Sequence, residues 1–326
     1  MCDHLIEENT LFTTNTNTDT ISNINSNKDT VKDTVKNLEE EQYLNLIREI
    51  LSRGTWEEGR NGRTKSIFGH SMRFSLQDGK IPILTTKKTA WKTCLKELLW
   101  FIRGKTNNKL LTDQGVHIWD GNSSREFLDS RGLTKYEVGE LGPIYGHQWR
   151  HFNAKWQGDS HDYSGEGVDQ LQQIIDALKD PAQRTSRRMI MTAWNPEQLD
   201  DMALPPCHIF CQFNVHDGNK LSCMMVQRSC DFALGIPFNI ASYSLLTHLI
   251  AKHCGLEAYE FVHFMGNCHL YEDHVEPMKT QLERNSYPFP TVSIKQIKTN
   301  INDYCLDDFE IHNYQHHEPI KFQMVA

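Results

Sequence analysis

No stretch of this 326-residue chain approaches the roughly 20 consecutive apolar residues that a membrane-spanning helix needs. The first ten residues, MCDHLIEENT, show no basic segment leading into an apolar one, so no secretory leader is expected. Basic residues are in the minority: 34 Lys and Arg stand against 42 Asp and Glu, a formal net charge of −8. A domain that follows duplex nucleic acid has the reverse balance and a clustered basic footprint. Paired cysteine spacing is missing too. The nine cysteines are scattered and odd in number, which without a leader reads as reduced thiols in the cytoplasm or nucleus. No internal repeat is visible.

Large apolar residues are scarce in one further place. The run LFTTNTNTDTISNINSNKDTVKDTVKN is rich in Asn, Thr, Asp and Ser. It cannot bury enough surface to offset the entropy of ordering, so residues 1–37 are expected to be a disordered tail. Order is expected over 38–326. Leu38, Tyr43, Leu46, Ile47, Ile50 and Leu51 fall at helical spacing, with Gly54 as the stop. SIFGHSMRFSLQDGKIPILTT reads as two strands around the turn QDGK. AWKTCLKELLWFIRG and GVDQLQQIIDALKD read as helices, and NIASYSLLTHLIAKHCGL as a long buried one. RRMIMTAWN, HIFCQFNVHDGNKLSCMMVQRS and EFVHFMGNCHLY read as strands, with HDGN a hairpin turn. Helices and strands mix without regular alternation, which gives an α+β fold in one domain after the tail.

The residues that bear chemistry gather late in the chain. Cys207 follows two prolines in LPPCHIFCQF. Free cysteines are mostly buried and inert, and taken alone that reading fits best. Cys207, His208 and Cys211 lack the second ligand pair of a zinc finger, and Cys268, His269 and His274 form no standard set. No metal is expected. A nucleophilic thiolate needs a nearby cation, and QRSCD supplies Arg228. Asn239 stands among apolar helix residues, where an unpaired amide costs about 1–3 kcal/mol, so it needs a backbone or ligand partner.

LPPCH, QRSCDFALGIPFNIASY, GNCHLY, ELLWFIRG, IWDGN, LGPIYGHQWRHF and RRMIMTAWNP stand in the order and spacing of the thymidylate synthase family. The resemblance runs from about Leu38 to the last residue. It implies a three-layer domain whose mixed β-sheet, flanked by helices, forms a homodimer interface. It also implies that dUMP is methylated to dTMP, with methylenetetrahydrofolate as one-carbon donor and reductant. Cys207 then matches the nucleophile, and Arg228 the arginine that depresses its pKa and binds phosphate. Asn239 matches the reader of the pyrimidine. Ser229 matches a phosphate contact, and His269 with Tyr271 the pair on the deoxyribose hydroxyl. Asp231 matches the carboxylate that meets the pterin, and the resemblance places it beside the nucleotide too. Glu97, Tyr145 and His208 match a polar network that assists proton removal. Trp119 and the C-terminal Ala326 match folate contacts. Arg187 and Arg188, being adjacent, cannot both face one side of a strand, and the resemblance sends them to the partner subunit's phosphate.

Some positions depart from the family pattern. GRNGRTKS replaces the usual phosphate-closing loop, and Arg60 is preferred over Arg63 for its guanidinium. Val226 stands for a tyrosine, Asn267 for an aspartate and Asp273 for an asparagine. The last two residues are swapped, and closure over folate is expected to survive. The tail is too short and polar to be a dihydrofolate reductase, so a separate reductase is expected. Two readings compete: a dCMP or dUMP hydroxymethylase of the same fold, and a catalytically inactive binding relative. The dCMP enzyme carries Asp at the position of Asn239.

Overall fold

The structure is a computed structural model that describes residues 36–59 and 62–323. Most of the tail, Arg60 and Ala326 lie outside these residues. The first described helix, α1 (Leu38–Arg53), is capped by Asn37, whose side chain accepts from the backbone of Glu39 and Glu40. Asn37 also donates to Tyr287 O at 3.0 Å, so this residue, read from sequence as the end of the tail, is fixed in place. Gly54 does stop α1, but in an extended conformation (φ −63°, ψ 151°). Glycine is required there by crowding: a Cβ would meet Ile50 O at 2.5 Å.

The remaining elements follow in order. Strands β1 (Thr55–Gly59) and β2 (Gly62–Ser75) precede α2 (Trp91–Ile102), α3 (Lys109–Thr112), α4 (Arg125–Ser130), α5 (Tyr145–His151) and α6 (Gln170–Lys179). Then come β3 (Ile190–Thr192), β4 (His208–His216), β5 (Lys220–Asp231), α7 (Gly235–His253), β6 (Glu257–Tyr271), α8 (Val275–Leu282), β7 (Thr291–Ile294) and β8 (Phe309–His312). Six strands form one sheet in the order β1-β2-β6-β5-β4-β3. It is mixed: β5 and β6 run parallel and the other neighbours antiparallel. The β4–β5 hairpin turns at Asp217 (φ 48°) and Gly218 (φ 81°), the two left-handed positions that a type I′ turn demands.

One expected strand does not form. IPILTT forms no strand; the one isolated bridge nearby, Lys80 with Thr291, belongs to the last residue of the QDGK turn. Ile81, Ile83 and Leu84 are buried without a ladder. The backbone of the next two residues is satisfied instead by a side chain. Glu40, on α1, accepts from Thr85 N (3.0 Å), Thr86 N (2.8 Å) and both threonine hydroxyls (2.5 and 2.7 Å). The same residues hold later parts of the chain, since Thr85 O accepts from His317 N at 2.8 Å.

Helix α7 lies on the sheet against β5 and β6, α2 packs on α7, and α5 packs on α2. This sets the layers: sheet, helix, outer helices. Every residue of α7 from Ile240 to Ala251 is buried. The other side of the sheet is apolar as well. The register places Phe210, Val226 and Phe264 in one row across β4, β5 and β6, with Met224 beside Val262 in the next. Phe264 is 44% exposed, and Phe68 on β2 is 85% exposed.

Candidate active site

Cys207 sits where the Pro-Pro segment turns into β4, and its backbone is held on both sides. Its N–H donates to the Tyr145 hydroxyl at 2.7 Å, and its carbonyl accepts from Arg228 N at 2.8 Å. The Arg228 guanidinium donates from Nε to Pro206 O (2.8 Å) and from Nη2 to Pro205 O (3.0 Å), and it lies over the Trp194 ring. The prolines thus present two free carbonyls that aim the guanidinium toward the cysteine's loop. Sequence alone did not show this.

Cys207 and Arg228 border a cleft of about 460 Å³, with Glu97, Trp119, Tyr145, His208, Ser229, Asp231, Asn239, His269 and Tyr271 also on its walls. Eleven of the fifteen residues singled out from the sequence therefore meet there. Arg187 and Arg188 do not line it. They lie exposed in a turn before β3, so strand alternation does not decide their directions. Arg187 O accepts from Gln212 Nε2 at 3.0 Å, which puts the pair beside the open apolar side of the sheet. Arg60 and Ala326 fall outside the described residues. Arg63 is already engaged, by Glu272 at 2.9 Å, Glu58 at 3.5 Å and the Trp56 ring.

Burial sets the protonation states. It pushes the Cys207 thiol above its ordinary value, while the Arg228 charge and a hydrogen bond with Ser229 pull it down. The arginine thus acts to lower the thiol value, and desolvation, acting the other way, is the larger effect. Burial raises Glu97 to about 7 against a 2.7 Å hydrogen bond from Trp119 Nε1. It lowers His208 to about 3. His208 is neutral, bonded through Nδ1 to the Tyr243 hydroxyl at 2.8 Å and stacked on the Tyr145 ring at 4.1 Å. Asp231 accepts from Ala233 N at 2.8 Å. Asn239 makes no side-chain hydrogen bond among the described residues, so its carboxamide is available to a ligand.

A profile of the family described as thymidylate synthase matches residues 41–326. The chain is 54% identical over 300 residues to a probable thymidylate synthase of Schizosaccharomyces pombe, covering 89% of this chain and 48% of that one. It is 52% identical over 293 residues to a bifunctional dihydrofolate reductase-thymidylate synthase of Leishmania amazonensis, covering 89% and 56%. Against the thymidylate synthase of Saccharomyces cerevisiae it is 50% identical over 299 residues, covering 89% of this chain and 98% of that one. The chain belongs to the thymidylate synthase family. It spans about half the length of the first two of these relatives and nearly all of the yeast synthase.

Within this family member's cleft, Gln227, Asn122 and the apolar Ile118, Leu204, Leu234 and Phe238 also form walls. Sequence reading gave them no role. Gln227 is held by His263 Nε2 at 3.0 Å and donates to Ser229 O at 2.9 Å. The only hint was its place in the QRS motif. A more polar cavity of about 510 Å³, bordered by Arg103, Arg150, Asp159 and Glu166, contains none of the candidate residues. Among the described residues no group of three or more His, Cys, Asp or Glu side chains is placed to hold a metal.

Proposed function

We propose that this chain converts dUMP to dTMP, with methylenetetrahydrofolate as co-substrate. The observation that carries the reading is the meeting of Cys207, Arg228 and an uncommitted Asn239 in one cleft. The cleft suits both ligands. Trp119, Ile118, Leu234 and Phe238 offer apolar and aromatic surface to a flat ring system, and Asp231 offers an acceptor for its N–H groups. Bound folate supplies the methylene carbon and the hydride.

The chain's own residues prepare the pyrimidine. The Cys207 sulfur adds to carbon 6 of uracil, losing its proton as the S–C bond forms, and the electron pair moves through carbon 5 to O4 as an enolate. This converts a poor carbon nucleophile into a good one. The Asn239 NH2 donates to O4, where charge develops, and its carbonyl accepts from N3–H. Glu97, with its raised pKa, is poised to exchange protons near neutrality, while neutral His208 and Tyr145 extend the polar wall. Departure of the proton from carbon 5 and expulsion of the sulfur then restore the ring. Arg228 and Ser229 serve the phosphate, with Arg60 closing from the β1–β2 loop. His269 and Tyr271 hold the sugar hydroxyl, and Trp119 and Ala326 meet the folate.

The working unit of this reading is a homodimer. The row Phe210–Val226–Phe264 offers apolar surface in register, and Arg187 and Arg188 stand beside it without a role in their own cleft. In the dimer each pair reaches the other chain's phosphate.

Incubation with dUMP and methylenetetrahydrofolate tests the function. dTMP with release of tritium from carbon 5 is expected. A hydroxymethyl product would select the hydroxymethylase, and absence of both products an inactive relative.

A further inference from the structure

His269 lines both the cleft and a separate cavity of about 210 Å³ bordered also by Gly62, Thr64, Ser229, Asn267 and Tyr271. Its Nδ1 lies 2.9 Å from Asn267 Oδ1 and 3.3 Å from Asn267 O. Both are carbonyl oxygens, which only accept, so Nδ1 carries the hydrogen. The carboxamide oxygen is the nearer of the two acceptors and the backbone carbonyl, at 3.3 Å, the weaker one, so the Asn267 side chain decides the tautomer. A neutral imidazole has one N–H, which leaves Nε2 as a bare acceptor.

Charged neighbours make the choice of Asn267 matter. Asp231 pairs directly with His269 across β5 and β6 and favours a second proton on the ring. His274, in the turn after β6, opposes it, as does burial, and burial dominates: the ring's pKa is lowered. From β2 the residue opposite is the uncharged Ser66. A carboxylate in place of Asn267 would sit within hydrogen-bond distance of Nδ1 and add to the pull of Asp231. The carboxamide gives the same acceptor without the charge.

We propose that Asn267 is a positioning residue for nucleotide binding, whose side-chain carbonyl fixes His269 as the neutral Nδ1–H tautomer so that Nε2 accepts a hydrogen bond from the bound sugar's hydroxyl. The proposal rests on the nucleotide reading given above. It differs from a packing role because it dictates which nitrogen bears the proton, and therefore which ligands are accepted. A ligand with a hydroxyl to donate at this point is favoured over one without.

The test uses the full-length chain with 15N-labelled histidine. In the wild type, His269 is expected to show a protonated Nδ1 and an unprotonated Nε2 at pH 7.5. dUMP is expected to bind about tenfold more tightly than 2′,3′-dideoxyuridine monophosphate, the worth of one hydrogen bond. Asn267→Leu should shift the proton toward Nε2 and bring that ratio close to one. Asn267→Asp keeps an acceptor, so it should retain both tautomer and ratio at high pH, while the ring takes up its second proton at a pH about 1–3 higher than in the wild type. Should the leucine variant not fold, Asn267→Ala carries the same comparison. Unchanged nitrogen shifts and an unchanged ratio in the leucine or alanine variant would overturn the proposal. So would an Asn267→Asp ring that titrates as in the wild type. Failure of the wild type to bind dUMP at all would instead sink the nucleotide reading, since the tautomer is measured without ligand.

Discussion

A thiol buried beside an arginine is pulled in two directions, and at Cys207 burial wins. The resting sulfur should therefore hold its proton. Alkylation of Cys207 by iodoacetamide, followed by peptide mass mapping, should be slow at neutral pH with a midpoint above the ordinary thiol value. Arg228→Ala should raise that midpoint further, because the larger of the two opposing influences would be gone and only the Ser229 hydrogen bond would still hold the value down; an unmoved midpoint would show the two groups to be uncoupled. Cys207→Ser should abolish the covalent adduct with 5-fluoro-dUMP and folate while leaving dUMP binding largely intact. Glu97 makes a second test. Its folded value, about 7, lies above the ordinary value of 4.5, so the folded chain holds this proton more tightly than the unfolded one. That contribution to stability is complete below about 4.5 and is lost as pH rises through about 7. In Glu97→Gln this part of the slope of Tm against pH should vanish, together with any limb of the activity profile near 7. Single residues were the most legible level of the sequence. Cys207, Arg228 and Asn239 drew notice within their segments, but only the resemblance to the family gave them roles. Gln227 was missed because its partner His263 is remote in sequence and only the sheet register joins them.

At the level of elements, legibility followed the apolar pattern. Helix α7 and the β4–β5 hairpin were plain, one from its continuous apolar run and the other from its Asp-Gly turn. Helix α5 was not resolved from YGHQWRH, since two of its buried positions, His147 and Gln148, are polar. His147 and Gln148 are satisfied inside the protein, by Ala154 O at 3.0 Å and Pro143 O at 2.8 Å, and no periodicity announces such bonds. IPILTT failed the opposite way: it has the composition of a strand, but Glu40 takes its neighbouring backbone groups. Leu246, fully buried on α7, gives the element-scale prediction. Leu246→Ala should cost about 2–5 kcal/mol, read as a lower urea midpoint with an unchanged slope. A loss below about 1 kcal/mol would mean that the outer helices close over the hole.

For the whole molecule, the shared-site reading makes a quantitative demand. Cys207→Ser keeps the arginines, and the double variant Arg187→Ala, Arg188→Ala keeps the thiol. Mixed after a brief denaturant step, about half of the dimers should be heterodimers by random reassortment. Each would carry one complete site and one with neither function. The mixture should recover roughly a quarter of wild-type activity if the sites act independently. No recovery despite subunit exchange confirmed by mass would place the arginines' role within their own chain. The N-terminal tail should matter little: removing residues 1–35 is expected to leave activity and Tm almost unchanged. The sequence placed the arginines next to β3 but not at the margin of an open apolar surface, because register between distant strands is not written in any one of them.

The knot around Glu40 ties the beginning of the described chain to its end. Helix α1 reaches Thr85 and Thr86 through one carboxylate, and Thr85 passes the link to His317. A few residues later Phe322 packs on His274, and Gln323 O bonds the same imidazole at 2.7 Å, next to Asp231 in the cleft. The first helix and the last segment should therefore open as one cooperative unit. Amide hydrogens of α1 and of residues 317–323 would exchange with solvent at matched rates, and Glu40→Ala would release both. A lesion in the first helix would then be felt as a loosened latch beside His274 and Asp231.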